Sequence, residues 1–146
     1  MENIFTDEYF MNKALQEAQI AFDKDEIPVG AIVVVNNRII AKTHNLTELL
    51  NDVTAHAEMQ AITASANFLG GKYLQNCTLY VTLEPCQMCA GALYWSQISK
   101  IVYGAKDLQR GFSKMGTKLH PKTIVVNGIL ENECSSLMKE FFKKKR

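Results

Sequence analysis

Two short motifs in the sequence carry side chains that can bind a metal ion. The first is His56-Ala57-Glu58 and the second is Pro85-Cys86-Gln87-Met88-Cys89. Both are expected at the start of a helix. There the positive end of the helix dipole favours thiolate, and the two thiols of a Cys-x-x-Cys pair project from the first turn. Both sulfurs can therefore reach a single cation.

The Cys-x-x-Cys pair alone is compatible with a redox pair, half of a structural zinc site, or part of a catalytic zinc site. A redox pair is expected near the first strand–helix crossover of a thioredoxin-type domain, whereas this pair follows a third predicted strand and a second predicted helix. A structural zinc ion needs four protein ligands, and no second Cys-x-x-Cys or His-x-x-x-His accompanies the pair. His56, Cys86 and Cys89 leave a fourth position for water, which favours a catalytic zinc site. Cys77 and Cys134 stand apart and are expected to be buried apolar residues.

Glu58 lies two residues after the predicted histidine ligand. A lone glutamate on a helix is usually a solvated charge. Beside a metal site, however, its carboxylate can accept a proton from metal-bound water and later donate it, acting as general base and then as general acid. The combination of H-x-E with P-C-x-x-C is the signature of zinc nucleobase deaminases. The two motifs together therefore predict a hydrolytic deaminase.

The elements that position these motifs alternate between strands and helices. Apolar periodicity and β-branched runs predict helices over Asp7 to Phe22, Thr54 to about Ala66, Cys86 to Ser96 and Glu131 to Phe142, and strands over Gly30 to Val35, Arg38 to Ala41, Thr78 to Thr82, Lys100 to Tyr103 and Thr123 to Val126. Asn36-Asn37 should form a hairpin turn, and residues 104–121 form either a loop or a short helix flanked by loops. This alternation predicts an α/β sheet with helices on both faces.

The length and composition predict one domain over residues 1–146, because 146 residues with 47% hydrophobic residues is typical of a single globular core. The longest apolar run, Ala31 to Val35, is far shorter than the roughly 20 residues that span a bilayer, so no membrane segment is expected. The first residues are acidic and polar, unlike a secretory signal, which predicts a cytoplasmic protein.

The charge is small in total but unevenly distributed. The net charge of +1 argues against a protein that coats nucleic acid nonspecifically, yet residues 1–60 carry ten acidic and four basic side chains while residues 61–146 carry five acidic and twelve basic ones. The basic run Lys143 to Arg146 is either a solvated tail or an anion-binding tail. A chain with such a distribution can present one basic face to phosphate groups while it stays nearly neutral overall. The small net charge therefore does not exclude an RNA partner.

Further segments extend the resemblance to zinc deaminases from the two metal motifs over nearly the whole chain. They are Ile27 to Ala31, Asn51 to Glu58 with Val53 where proline is usual, Leu79 to Cys86, Gly104 to Asp107, and Gly128 to Cys134 followed by Phe141-Phe142 and basic residues. On these segments the chain resembles the cytidine-deaminase-like superfamily, and more closely the bacterial tRNA-specific adenosine deaminases. The resemblance implies a three-layer α/β/α fold with a five-stranded mixed sheet, and a homodimer whose substrate sites are built partly from both subunits.

The same resemblance implies hydrolytic deamination of adenosine to inosine at the wobble position of a tRNA anticodon loop. One zinc ion per chain would be held by His56, Cys86 and Cys89, with Glu58 transferring protons. Further positions follow from the family pattern. Asn45 would hydrogen-bond the target nucleoside or merely form a turn, the backbone around Ala57 and Glu84 would shape the base pocket, and Lys106, Asp107, Phe142 and Lys143 would lie near the RNA.

Two alternatives remain open at the level of sequence. Guanine deaminases carry the same zinc motifs, and Gly91 to Trp95 is similar to their pattern, whereas Ile27 to Gly30, Leu83 and the basic aromatic C-terminus favour the tRNA enzymes. Tyr94 and Trp95 are expected to pack against the sheet or against a dimer partner. A non-catalytic RNA-binding module with a structural zinc ion would leave Glu58 and the open coordination position without a use.

Overall fold

The computed structural model describes residues 3–145 and contains a single mixed sheet with helices on both faces. The strands are β1 (Gly30–Val35), β2 (Arg38–His44), β3 (Thr78–Leu83), β4 (Lys100–Ala105) and β5 (Ile124–Asn127); the helices are α1 (Asp7–Asp23), α2 (Ala57–Leu69), α3 (Gln87–Ser96), α4 (Phe112–Met115) and α5 (Glu131–Lys144). The predicted order of elements is confirmed, and the unassigned region 104–121 contains the short helix α4 flanked by loops.

The sheet has the strand order β2-β1-β3-β4-β5. β1 is antiparallel to both β2 and β3, whereas β3, β4 and β5 are parallel. The hairpin between β1 and β2 turns at Asn36 and Asn37, whose φ angles of 50° and 62° are those of a left-handed turn. The predicted five-stranded mixed sheet is therefore confirmed.

Alternate residues of the buried strands point to opposite faces and define two cores. On one face Val33 and Leu79 pack with Ala61 of α2 and Leu93 of α3. On the other face Ile32 packs with α1 and with Cys134 of α5. This arrangement gives the expected three layers, with α2 and α3 together on the face that carries the metal motifs. Cys77 and Cys134 are 0% and 2% exposed, so their predicted burial is confirmed.

Helix α2 differs from its predicted bounds at both ends. It begins at Ala57 rather than Thr54, because the Asp52 carboxylate accepts hydrogen bonds from both the backbone N–H and the hydroxyl of Thr54, which holds these residues in a turn. It ends at Leu69, where Gly70 adopts φ 72° as a left-handed cap.

The remaining elements match their predicted bounds within a few residues. The largest of these differences is at β2, which extends to His44, and α3 begins one residue after Cys86. Among residues 3–145, no helix combines the length and apolar composition that crossing a membrane requires.

Candidate metal centre and its surrounding loops

The predicted ligands lie at the N-terminal ends of two helices on the same face of the sheet. His56 is the N-cap residue of α2 and Cys86 is the N-cap residue of α3, and neither side chain makes a capping hydrogen bond. Cys89 lies in the first turn of α3 and is fully buried. Because these side chains do not satisfy their own helix ends, they remain available to a cation.

The three ligand atoms are close enough to bind one ion. The His56 Nδ1 atom lies 3.6 Å from Cys86 Sγ and 3.5 Å from Cys89 Sγ. Bonds of about 2.3 Å to sulfur and about 2.0–2.1 Å to nitrogen, meeting at a tetrahedral angle, would separate the two atoms by about 3.6 Å. The donor set therefore fits one tetrahedrally coordinated metal ion with three protein ligands, and His56, Cys86 and Cys89 form the cluster that the motifs predicted.

The protonation of these groups is linked. The pKa of the Cys86 thiol is lowered to about 4, because its thiolate accepts hydrogen bonds from Cys89 and from His56. The pKa of Cys89 is raised far above its ordinary value by that bond to Cys86 and by burial, and the pKa of His56 is raised by its bond to Cys86. Cys89 and His56 thus hold protons that a bound metal ion would displace.

Glu58 lies in the first turn of α2 and is only 4% exposed. Burial raises the pKa of its carboxyl group to about 7, and the negative charge of Cys86 adds to this effect while His56 opposes it. A carboxyl group with a pKa near neutrality can both accept and donate a proton at cellular pH. Glu58 therefore has the protonation behaviour that proton transfer at this centre would require.

Hydrogen bonds fix the start of α2 to the end of β2. The Thr43 hydroxyl donates to the Ala57 carbonyl at 2.7 Å, and the Gln60 side-chain amide donates to the carbonyls of His44 and Ala55 at 2.8 and 3.1 Å. These contacts orient the His56 backbone from both sides. The role of Gln60 was not predictable, because a glutamine one turn into an amphipathic helix is ordinarily a surface residue.

An open cleft of about 470 Å³ borders His56 and is lined by Thr47, Glu48 and the turn at residues 51–53. Asn45 lies at the base of this loop, is 5% exposed, and donates from its side-chain amide to the Thr47 hydroxyl at 3.3 Å. Without a substrate, Asn45 therefore makes the short-range hydrogen bond that is typical of a turn residue.

A buried carboxylate holds the loop that borders this cleft. Glu26 is 1% exposed and accepts hydrogen bonds from the backbone N–H groups of Glu48 and Leu49 at 3.0 and 2.8 Å. Sequence reasoning missed this residue, because nothing in the local pattern separates Glu26 from the solvated acids at positions 23 and 25.

A second buried carboxylate, Glu84, holds the loop on the α3 side. It is 4% exposed and accepts hydrogen bonds from the N–H groups of Asp107 and Ser113. Asp107 in turn caps a tight turn, because its carboxylate accepts from the N–H groups of Gln109 and Arg110 at 3.1 and 2.9 Å. Lys106 is exposed beside this turn.

The C-terminal end of α5 packs against the end of α1. Phe141 is buried with its ring 5.8 Å from the Phe22 ring, and Lys145 forms an ion pair with Asp25. Phe142 is 44% exposed and Lys143 is exposed beside it, whereas Arg146 lies outside the described residues. Because Asp25 adjoins Glu26, this basic helix end lies on the same side of the molecule as the loop over the cleft.

Tyr94 and Trp95 form an aromatic pair near the end of α3. Their rings contact each other edge to face at 5.5 Å, and the Tyr94 ring lies 5.6 Å from that of His120. Trp95 is 77% exposed. Of the two expected positions of Trp95, packing against the sheet is excluded, because the side of α3 that faces the sheet is occupied by Leu93 and Ala90, and contact with a dimer partner stays a prediction.

Comparison with known proteins agrees with this geometry. The MafB19-like deaminase family model matches residues 5–146. The tRNA-specific adenosine deaminase of Bacillus subtilis strain 168 is 43% identical over 148 residues, covering 96% of this chain and 91% of that protein. A solved structure from a study of A-to-I editing by tRNA:A34 deaminases superposes with a TM-score of 0.81 at 41% identity, covering 88% of this chain and 98% of the other.

Guanine deaminase of B. subtilis is also similar, but less so. Its solved structure has a TM-score of 0.67 at 34% identity, covering 80% of this chain and 72% of that one. The tRNA deaminases thus match at higher identity than this guanine deaminase. The chain is a member of the MafB19-like deaminase family and, within it, of the tRNA-specific adenosine deaminases.

Proposed function

We propose that the chain, as one deaminase domain over residues 1–146, converts adenosine to inosine at the wobble position of a tRNA anticodon loop, with one zinc ion held by His56, Cys86 and Cys89. The observation that carries the proposal is the cluster itself, in which two Sγ atoms lie 3.6 and 3.5 Å from one imidazole nitrogen beside the buried carboxyl group of Glu58. A zinc ion bound there would supply a Lewis acid and lower the pKa of a water molecule to about 7.

Glu58 carries out the proton transfers of the reaction. Its carboxylate accepts one proton from the attacking water and delivers it to N1 of the adenine ring as the new C6–O bond forms. The carboxyl group then carries the remaining water proton to the departing amino group, the C6–N bond breaks, and ammonia leaves. The Glu58 carboxyl group is buried next to the ligand cluster, where it can serve both transfers.

The reacting base must leave its stack to reach this centre, and a loop nucleotide does so at little cost in free energy. We assign Asn45 and the backbone at Ala57 to the pocket for that base, since Asn45 donates to Thr47, which lines the cleft, and Ala57 directly follows His56, which also lines it. The exposed cations Lys106 and Lys143, with the exposed Phe142, are assigned to the RNA backbone and flanking bases. Such contacts predict RNA affinity that falls as salt concentration rises.

The proposed function is tested with a short RNA stem-loop that carries adenosine at the first anticodon position. We expect inosine from this RNA, detected by mass spectrometry of the nucleosides, and no inosine from a matched RNA in which that adenosine is moved by one nucleotide. Free guanine serves as the competing substrate. Xanthine from guanine without inosine from the RNA would replace this proposal by a guanine deaminase, and RNA binding without any release of ammonia would replace it by a binding module.

We also propose that the chain forms a homodimer through the apolar surface at the C-terminal ends of α2 and α3. This surface comprises Phe68, Leu69, Tyr73 and Trp95, which are 58%, 42%, 47% and 77% exposed. The N–H of Leu74 donates to the carbonyl of Ser96 at 2.8 Å, which brings Tyr73 next to α3. Contiguous exposed apolar groups of this kind are typical of protein interfaces.

Replacing Trp95 by glutamate is expected to convert the dimer to a monomer, because the new carboxylate would be desolvated in the interface. Sedimentation velocity on the wild type and the variant measures the change. Ile20→Glu is the matched control, since Ile20 is 40% exposed on α1, on the opposite face of the sheet, and should leave the dimer intact. A monomeric wild type, or a Trp95→Glu dimer of unchanged stability, would contradict the assignment.

The setting that we propose is the cytoplasm, where thiols stay reduced and tRNA is present. The proposed metal centre needs Cys86 and Cys89 in their reduced form, which fits a reducing environment.

A further inference from the structure

The segment that follows β4, residues 106–113, wraps around the start of α3. Each oxygen of the Glu84 carboxylate accepts one backbone hydrogen bond from it, Oε1 from Asp107 at 3.1 Å and Oε2 from Ser113 at 3.0 Å. The N–H of Phe112 donates to the Pro85 carbonyl at 2.9 Å, and Gly111 pairs with Cys86 in an isolated antiparallel bridge. The segment therefore lies directly against the backbone of a metal ligand.

Gly111 and Glu84 interlock. A Cβ atom at position 111 would lie 2.4 Å from Glu84 Cδ and 2.6 Å from the Asp107 carbonyl oxygen, closer than such atoms can approach. The φ of Gly111 is −63°, which any residue adopts, so the need for glycine is steric. The buried carboxylate occupies the space that a side chain at position 111 would fill.

The outer surface of the segment is basic and exposed. Lys106, Arg110 and the neighbouring Lys114 are exposed and form no ion pair among residues 3–145. Because both Glu84 oxygens are engaged by backbone N–H groups, the carboxylate fixes the path of the segment without neutralising these cations. The segment thus has a rigid base beside Cys86 and a free cationic surface.

We propose that Glu84 is a positioning residue for the RNA substrate. It does not contact the RNA but holds residues 106–113 in place, so that Lys106 and Arg110 are positioned beside the metal centre before the RNA binds. Gly111 contributes to the same restraint, because it leaves room for the Glu84 carboxylate. A surface that is ordered in advance binds with a smaller loss of conformational entropy. The identity of the substrate rests on the proposed function, whereas the restraint of the segment does not.

The first arm of the test measures amide hydrogen exchange in Glu84→Gln, which keeps the volume of the side chain but replaces one acceptor oxygen by an NH₂ group. We expect exchange at Asp107 and Ser113 to accelerate by about tenfold or more, the range for losing a hydrogen bond to a charged group. Glu26→Gln is the matched control, because it should accelerate exchange at Glu48 and Leu49 and leave Asp107 and Ser113 unchanged. Unchanged exchange at Asp107 and Ser113 in Glu84→Gln would overturn the proposal.

The second arm measures how the same variant binds and deaminates the anticodon stem-loop. We expect KM and the Kd measured by fluorescence anisotropy to rise about tenfold, with kcat, metal content and Tm near their wild-type values. Gly111→Ala, which perturbs the same contact from the other side, should reproduce these effects, whereas Gly71→Ala, whose Cβ meets nothing within 4 Å, should not. A fall in kcat alone, or KM and Kd unchanged while the amides exchange faster, would reduce Glu84 to a structural residue.

The two proposals can fail separately. A wild type that binds the stem-loop with Glu84-dependent affinity but forms no inosine would refute the proposed function and leave the positioning role intact. A wild type that forms inosine with KM and Kd insensitive to Glu84→Gln and Gly111→Ala would do the reverse.

Discussion

Replacing Glu58 by glutamine is expected to lower kcat for inosine formation by a factor of about 10²–10⁴, the range for removing a general acid–base group. The amide has nearly the shape of the carboxyl group but can neither accept the proton from water nor return one to the base. Because Glu58 is 4% exposed and shielded from solvent, bulk water or buffer cannot readily replace it. Single-turnover rates on the anticodon stem-loop measure the loss.

The control for this variant is its metal content and its fold. His56, Cys86 and Cys89 are unchanged in Glu58→Gln, so the protein should bind metal as the wild type does and keep its circular dichroism spectrum. Its affinity for the stem-loop should also remain near that of the wild type. If Glu58→Gln deaminated RNA at the wild-type rate, another group would have to transfer the protons.

Replacing Cys86 by serine is expected to release the metal and reduce deamination to an undetectable level. A hydroxyl oxygen is a weaker zinc ligand than a thiolate, and the remaining His56 and Cys89 supply only two of the three protein ligands. Loss of the ion should also lower Tm, since the ion ties the start of α2 to the start of α3. Metal analysis, calorimetry and the RNA assay on one preparation measure the three effects.

The chain supplies its own control for this substitution. Cys77 is also a free, fully buried cysteine but lies outside the cluster, so Cys77→Ala should lose some stability through its small cavity and retain its metal. If Cys86→Ser kept its metal and Cys77→Ala lost it, the ligands would have been assigned wrongly.

The fold was largely predictable because its signals are local. The continuous burial of β1 and β3, the amphipathic helices and the Asn36-Asn37 turn each follow from the residue types within one segment. Prediction failed where a side chain competes with the helix for backbone hydrogen bonds, as Asp52 does at the start of α2. At Trp95 the sequence left two contacts open, because apolar character alone does not distinguish a residue that faces the sheet from one on a surface that a partner would cover.

The candidate site likewise has one part that could be predicted from the sequence and one part that could not. The spacing of His56 with Glu58 and of Cys86 with Cys89 was sufficient to predict a cluster that the fold then brings together. The restraints on the surrounding loops were not predictable, because Glu26 and Glu84 bind backbone N–H groups 22–29 residues away. A backbone N–H group is the same in nearly every residue. The sequence of a loop therefore does not show which carboxylate its N–H groups bind.

Our main proposal is that deamination takes place at a metal ion held by His56, Cys86 and Cys89. Its most direct test is to remove the metal from the wild type, restore zinc in measured amounts, and determine inosine formation against zinc bound per chain. We predict that the rate rises in proportion to bound zinc and reaches its maximum at one ion per chain. Full activity in the metal-free protein, or a rate independent of the zinc bound, would show that deamination does not take place at this metal ion.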